Sequence, residues 1–118
     1  MNKLIAACVE YLDIRRPYRV SLQNRIKNPD WFAYCTATID NKGNVLRHNI
    51  VVTMQDMLKY DLNTIIAHEF VHAWQFENHI KGRNHGKKFQ NKAMKLAEYL
   101  NLCGFNIGEI YRPDIDKP

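Results

Sequence analysis

The sequence lacks the features that mark disulfide-stapled, membrane-spanning and repeat proteins. It has no C-x-x-C pair, no apolar run approaching the length of a bilayer span, no low-complexity tract and no internal repeat. Its three cysteines, Cys8, Cys35 and Cys103, offer neither a disulfide framework nor a cysteine-based zinc site. We expect them to be reduced and largely buried. Because no apolar signal region precedes Cys8, we also expect an intracellular protein.

Composition and charge are those of a small basic globular protein. The 118 residues are 46% hydrophobic and 25% charged, which suits one domain over 1–118 with a modest core. The net charge is +5, and a basic balance favours polyanionic partners such as nucleic acid, although it equally well serves solubility alone. Four lysines in the last predicted helix form a basic face through which DNA could bind: Lys87, Lys88, Lys92 and Lys95. We expect a monomer with no membrane partner.

Hydrophobic periodicity predicts an α+β fold. The predicted elements are a helix over 2–16, strands over 18–23, 31–39 and 45–53, a helical turn over 55–60, and helices over 62–80 and 87–102. We expect the three strands to form a small antiparallel sheet, with His48 as a surface residue of the third strand. The helix over 62–80 is apolar around most of its circumference, so it should be central. Residues 112–118 are expected to be a loose tail.

The central helix carries the sequence His68-Glu69-Phe70-Val71-His72, an H-E-x-x-H motif. Histidines four residues apart on a helix project from one face, so both rings can reach a single zinc ion. Glu69 lies beside the first histidine and can reach a water held by that ion without being a ligand itself. The motif therefore predicts His68 and His72 as metal ligands and Glu69 as the catalytic base.

A catalytic zinc requires a third protein ligand and an open position. On a straight helix His79 lies about 10 Å beyond His72 along the axis, and Glu77 points about 140° away from it. Two candidates remain open: Glu98, from the middle of the last helix, and His85, where the chain turns back beside Gly86. We favour His85, since the adjacent glycine leaves room for a close turn.

The segments His68-Glu69-Phe70-Val71-His72-Ala73 and His85-Gly86-Lys87-Lys88-Phe89 together resemble the SprT-like zinc metallopeptidases, which include Spartan. The upstream order of a helix, a small sheet and the strand Asn49-Ile50-Val51-Val52-Thr53 is similar in a looser way. The resemblance implies a minimal zincin-like domain with zinc held by His68, His72 and His85. It also implies that Gly86 and Phe89 are structural. The chain departs from longer members of the family in having no C-terminal cysteine zinc ribbon.

The resemblance and the motif together predict a zinc-dependent endopeptidase, acting on proteins and possibly on those associated with DNA. Glu69 would accept a proton from the attacking water and pass it to the leaving amine. An extended substrate could pair with an exposed sheet edge. The alternative function is a basic, zinc-stabilised nucleic-acid-binding module with little or no turnover. Hydrolysis of a non-peptide amide would use the same site.

Overall fold

The computed structural model describes residues 2–23, 33–53, 60–80 and 84–116. It is an α+β structure of three helices and one three-stranded sheet, with a short 3-10 helix near the C terminus. In chain order the elements are α1 (Asn2–Leu12), β1 (Tyr18–Gln23), β2 (Ala33–Ile39), β3 (Val45–Thr53), α2 (Leu62–Glu77), α3 (Lys87–Leu102) and the 3-10 helix (Pro113–Ile115). Three predicted features lie outside the described residues: the start of the second strand at 31–32, the helical turn at 55–59 and the helix stop at 81–82.

The sheet is mixed, so the prediction of an antiparallel sheet was wrong for one of its two strand pairs. β3 lies in the centre; it pairs antiparallel with β2, as the predicted hairpin requires, and parallel with β1. Alternation of polar and apolar residues predicts a strand but carries no information about the direction of its neighbour. Parallel strands need a long connection between them, and residues 24–44 supply one here.

The hairpin turn between β2 and β3 is held by one side chain. Oδ1 of Asp40 accepts hydrogen bonds from the backbone N–H groups of Lys42 and Asn44, each at 2.9 Å. Gly43 follows with φ of +83°, a left-handed conformation that costs glycine little. This chemistry closes the turn and aligns the two strands.

Two helices end earlier than predicted, and for the same reason. α1 ends at Leu12 instead of residue 16, and α2 ends at Glu77 instead of residue 80. In each case a residue other than glycine takes the left-handed conformation just beyond the helix: Asp13 with φ of +56° and His79 with φ of +50°. The next residue then donates its N–H five residues back, as in a Schellman cap.

α2 is central, as the sequence predicted, because it packs against β2, β3 and both other helices. At its N terminus Asp61 accepts a hydrogen bond from the backbone N–H of Thr64 at 3.2 Å. At its C terminus the carboxylate of Glu77 accepts the backbone N–H groups of Arg15 and Arg16, at 3.0 and 3.2 Å. Glu77 therefore fixes the connection between α1 and β1 to the end of α2.

The hydrophobic core lies between the sheet and the three helices. Its fully buried members include Leu4, Cys8, Ile50, Val52, Ile65, Ile66, Phe70, Phe89, Leu96 and Leu100. Within the described ranges no helix is both long and apolar enough to cross a membrane.

The three cysteines differ in burial, so the expectation that they are largely buried holds only in part. Cys8 is buried, Cys35 is half-buried and Cys103 is exposed. Burial raises the pKa of the Cys8 thiol to about 12, which keeps it protonated and unreactive.

The C-terminal segment is ordered where the sequence predicted a loose tail. Residues 112–116 contain the 3-10 helix, and Ile115 is fully buried in the core. Burial of an apolar side chain stabilises a segment that composition alone would leave free. Only 117–118 of the predicted tail lie outside the described residues.

Two leucines on α3 provide a matched test of this packing. Leu96 is fully buried and Leu102 is 88% exposed. We predict that Leu96→Ala lowers the free energy of unfolding by about 2–5 kcal/mol, because it leaves a cavity in the core. Leu102→Ala should change it by less than about 0.5 kcal/mol. Urea denaturation followed by circular dichroism measures both; equal losses in the two variants would contradict the packing described.

Candidate metal centre

α2 places two buried histidines one helical turn apart. His68 is fully buried and His72 is 7% exposed, and their ring centroids are 5.0 Å apart. Glu69, between them in sequence, is fully buried as well. This is the arrangement expected for residues i, i+1 and i+4 when one face of a helix is turned toward a covered site.

His85 joins this pair from the turn that precedes α3. Its Nε2 lies 3.1 Å from Nε2 of His72 and 3.3 Å from Nε2 of His68. The buried ring of Phe89, one turn into α3, contacts all three imidazoles at centroid distances of 4.6–5.0 Å. Phe89 thus packs beside the histidines and limits the positions that their rings can take.

The other candidates from the sequence lie away from this cluster. Glu98, the alternative third ligand, is exposed on α3, and the cluster formed by the described residues does not include it. His79 is exposed just beyond the end of α2. Of the candidates named from the sequence, the structure brings His85 next to the two histidines of α2.

His48 was expected on the surface of the third strand, and that prediction was wrong. Its side chain is fully buried, and its Nε2 lies 2.7 Å from Oε2 of Glu77. The polar neighbours Arg47 and Asn49 indicated a solvated strand face, but an acidic partner from the end of α2 pairs with Nε2 of the imidazole there. His48 is also absent from the described cluster of potential metal ligands.

A fourth residue, Asp116, completes the cluster, and sequence reasoning missed it. Its Oδ2 lies 3.0 Å from Nε2 of His68, 2.9 Å from Nε2 of His72 and 2.6 Å from Nε2 of His85. All four donor atoms lie within 4.8 Å of one another. In the segment predicted to be a loose tail, the apolar residue Ile115 was the only local sequence feature that indicated contact with the rest of the protein.

Hydrogen bonds outside the cluster fix which ring nitrogen faces inward. Nδ1–H of His68 donates to the backbone carbonyl of Ile110, and Nδ1–H of His72 donates to Oε1 of Gln75 at 2.8 Å. A carbonyl oxygen only accepts hydrogen bonds, so in each neutral ring Nε2 carries the lone pair. Metal-binding histidines are usually oriented in this way, by a hydrogen bond from the ring nitrogen that does not bind the metal.

Charge and protonation in the cluster favour a bound cation. Burial lowers the pKa of His68 and outweighs the opposing effect of Asp116, so its imidazole stays in the neutral form that binds metals. Burial raises the pKa of Asp116, but its contacts with Glu69 and with the three histidines outweigh burial and hold that pKa well below its ordinary value, so the carboxyl is ionised. Neutral imidazole nitrogens and an ionised carboxylate oxygen are all electron-pair donors.

The spacing of these donors also fits a small metal ion. Ligand atoms around a tetrahedral zinc at 2.0–2.1 Å are about 3.3 Å apart. Five of the six separations between the donor atoms run from 2.6 to 3.3 Å, and all four atoms lie within 4.8 Å of one another. The cluster of His68, His72, His85 and Asp116 could therefore hold a metal ion with little rearrangement.

The choice between the two third-ligand candidates can be tested by metal analysis. We predict that His85→Ala weakens metal retention by at least about tenfold, because one imidazole ligand is lost. Glu98→Ala removes an exposed carboxylate and should leave retention unchanged. Metal content after dialysis against a competing chelator measures both variants. Loss of metal from Glu98→Ala alone would contradict the site described.

Comparison with known proteins identifies the family of the chain. No match was found among curated proteins or among solved structures. A protein-family model described as the SprT-like family matches residues 18–107, which include the H-E-x-x-H motif and His85 and end before Asp116. Since the match covers most of the chain, the protein belongs to the SprT-like family.

Proposed function

We propose that this protein is a zinc-dependent endopeptidase with a minimal zincin-like domain. One observation carries the proposal: a buried glutamate, Glu69, adjoins a cluster in which three imidazole nitrogens converge. A structural metal site needs ligands only, whereas a hydrolytic site also needs a general base within reach of the reacting water. Membership of the SprT-like family supports the same reading.

The donor set supports zinc as the metal. Three imidazole nitrogens and one carboxylate oxygen at tetrahedral spacing suit zinc, whereas magnesium and calcium prefer six or more oxygen ligands. Zinc bound there would polarise a substrate carbonyl and lower the pKa of a coordinated water. His68, His72 and His85 would hold it, with their tautomers set by the outer hydrogen bonds described above.

Glu69 has the position and surroundings of a general base. Its helical position next to His68 brings the carboxylate alongside the cluster, close enough to Asp116 to affect the pKa of that carboxyl. There it would take a proton from the water that attacks the peptide carbonyl. It would then give that proton to the amine as the C–N bond breaks, so the base is regenerated.

The sheet provides a route for an extended substrate. β2 is an edge strand of the described sheet and pairs only with β3. This strand packs against α2, the helix that carries His68, Glu69 and His72. A peptide pairing with the free edge of β2 would bring a backbone carbonyl toward the site whatever its side chains are.

The matched test replaces the base and leaves the ligands in place. We predict that Glu69→Gln keeps the metal content of the parent and loses at least about 100-fold in kcat for cleavage of an unfolded protein. Glu98→Gln, the same change on the exposed face of α3, should cleave at the parental rate. If Glu69→Gln cleaves as fast as the parent, Glu69 is not the base.

We also propose that α3 contacts nucleic acid, with three of its lysines as the contact residues. Lys87, Lys88 and Lys95 are exposed on this one helix, and the first two immediately follow the turn that carries His85. Lys92, the fourth lysine of the predicted basic face, instead has its Nζ over the rings of Trp74 and Tyr11, at 5.0 and 5.6 Å. Cation–π packing of this kind gives Lys92 a structural role.

Salt dependence tests this surface separately from catalysis. Each phosphate contact to single-stranded DNA contributes about −0.7 to the slope of log K against log salt. We predict that replacing Lys87, Lys88 and Lys95 by Gln makes the slope less negative by about 2, while Lys92→Gln leaves it unchanged. Fluorescence anisotropy with a labelled oligonucleotide measures both. DNA binding that survives Glu69→Gln in a protein without turnover would favour the binding-module function.

A further inference from the structure

We propose that Asp116 is a fourth metal ligand that closes the open coordination position, so that the C-terminal segment restrains its own active site. This inference rests on the proposed peptidase function, since only a catalytic site requires an open position. It concerns a residue beyond the stretch that the family model matches.

The contacts of Asp116 are those of a ligand and not of a surface acid. One oxygen, Oδ2, lies 2.6–3.0 Å from Nε2 of all three histidines, where it could serve as a fourth ligand of an ion that they hold. Its side chain is only 14% exposed. The same carboxyl also interacts with the side chain of Glu69, the proposed base.

The segment that delivers Asp116 is tied to the centre of the molecule at successive points. The N–H of Ile107 donates to Oδ1 of Asn101 at 2.9 Å, and the N–H of Gly108 donates to Oγ1 of Thr64 at 3.1 Å. The carbonyl of Ile110 accepts from His68, and the side chain of Ile115 is fully buried. These ties aim Asp116 at the cluster.

The contact of Asp116 with the histidines differs from the other contacts of this segment. Ile110 supports His68 from outside the cluster, and this contact does not obstruct the fourth position. Asp116 directly follows the 3-10 helix, in which Ile115 is the residue buried in the core among those that the structure describes. The final turn can therefore swing away while the earlier ties keep α2 and its histidines in place. A water molecule or a substrate carbonyl would then take the position that Oδ2 leaves.

A ligand that also blocks the site should affect metal binding and turnover in opposite directions. We predict that Asp116→Ala lowers the affinity for Co²⁺ or Zn²⁺ by about tenfold or more and raises kcat/KM for an unfolded protein by about tenfold. Asp116→Asn, which keeps a weaker oxygen donor, should lie between the parent and Asp116→Ala in both measurements. A purely structural Asp116 would lower both quantities when removed.

The decisive measurement is made on the full-length, Co²⁺-loaded protein with acetohydroxamate as a probe of the open position. The visible spectrum of Asp116→Ala should change at an acetohydroxamate concentration at least about tenfold lower than the parent requires. In this variant no carboxylate competes with the probe for the metal ion. Asp114→Ala, in the same 3-10 helix but outside the described cluster, should behave like the parent. Thermal unfolding by circular dichroism verifies that each variant is folded.

The outcomes separate this inference from the proposed function. Equal metal affinity and equal acetohydroxamate response in the parent and Asp116→Ala would overturn the inference, whatever the activity. Higher acetohydroxamate affinity in Asp116→Ala with no cleavage by any variant would support ligation by Asp116 and refute the peptidase function. If Asp116→Ala cleaves the unfolded protein at the parental rate or more slowly, Asp116 does not restrain the active site.

Discussion

Four electron-rich atoms meet at one point in this protein, and their mutual repulsion is the constraint on which the rest of the structure depends. Three are imidazole nitrogens, of His68, His72 and His85, and the fourth is a carboxylate oxygen of Asp116. In a buried setting such atoms repel one another strongly unless a proton or a cation lies among them. A divalent metal ion would convert that repulsion into attraction, and we regard this as the main reason why a small domain keeps so many polar groups inside.

The fold can be understood as the support for this cluster. α2 carries two of its members and is fixed at both ends, by the Asp61 cap and by the contact of Glu77 with the connection between α1 and β1. α3 contributes Phe89 as a packing surface beside the three rings. The C-terminal segment then covers the cluster. Each support comes from a different element, so the site depends on packing between segments that are far apart in the sequence.

The features that the sequence predicted are those that depend on local spacing. His68, Glu69 and His72 follow from helical geometry, and His85 follows from its position at a turn beside Gly86. Asp116 is different, because it reaches the cluster only through tertiary packing of a segment that has no local signal of its own. The direction of β1 and the burial of His48 were missed for the same reason. The two early helix ends were missed because Asp13 and His79 take the left-handed backbone conformation. In a sequence, such a helix end is usually indicated by a glycine.

An X-ray structure of the zinc-loaded protein, with anomalous scattering recorded at the zinc edge, tests the central claim most directly. A single anomalous peak should lie about 2.0–2.2 Å from Nε2 of His68, His72 and His85 and from Oδ2 of Asp116. An anomalous map with no peak among these four atoms, from crystals of folded protein grown with excess zinc, would contradict the assignment of a metal centre.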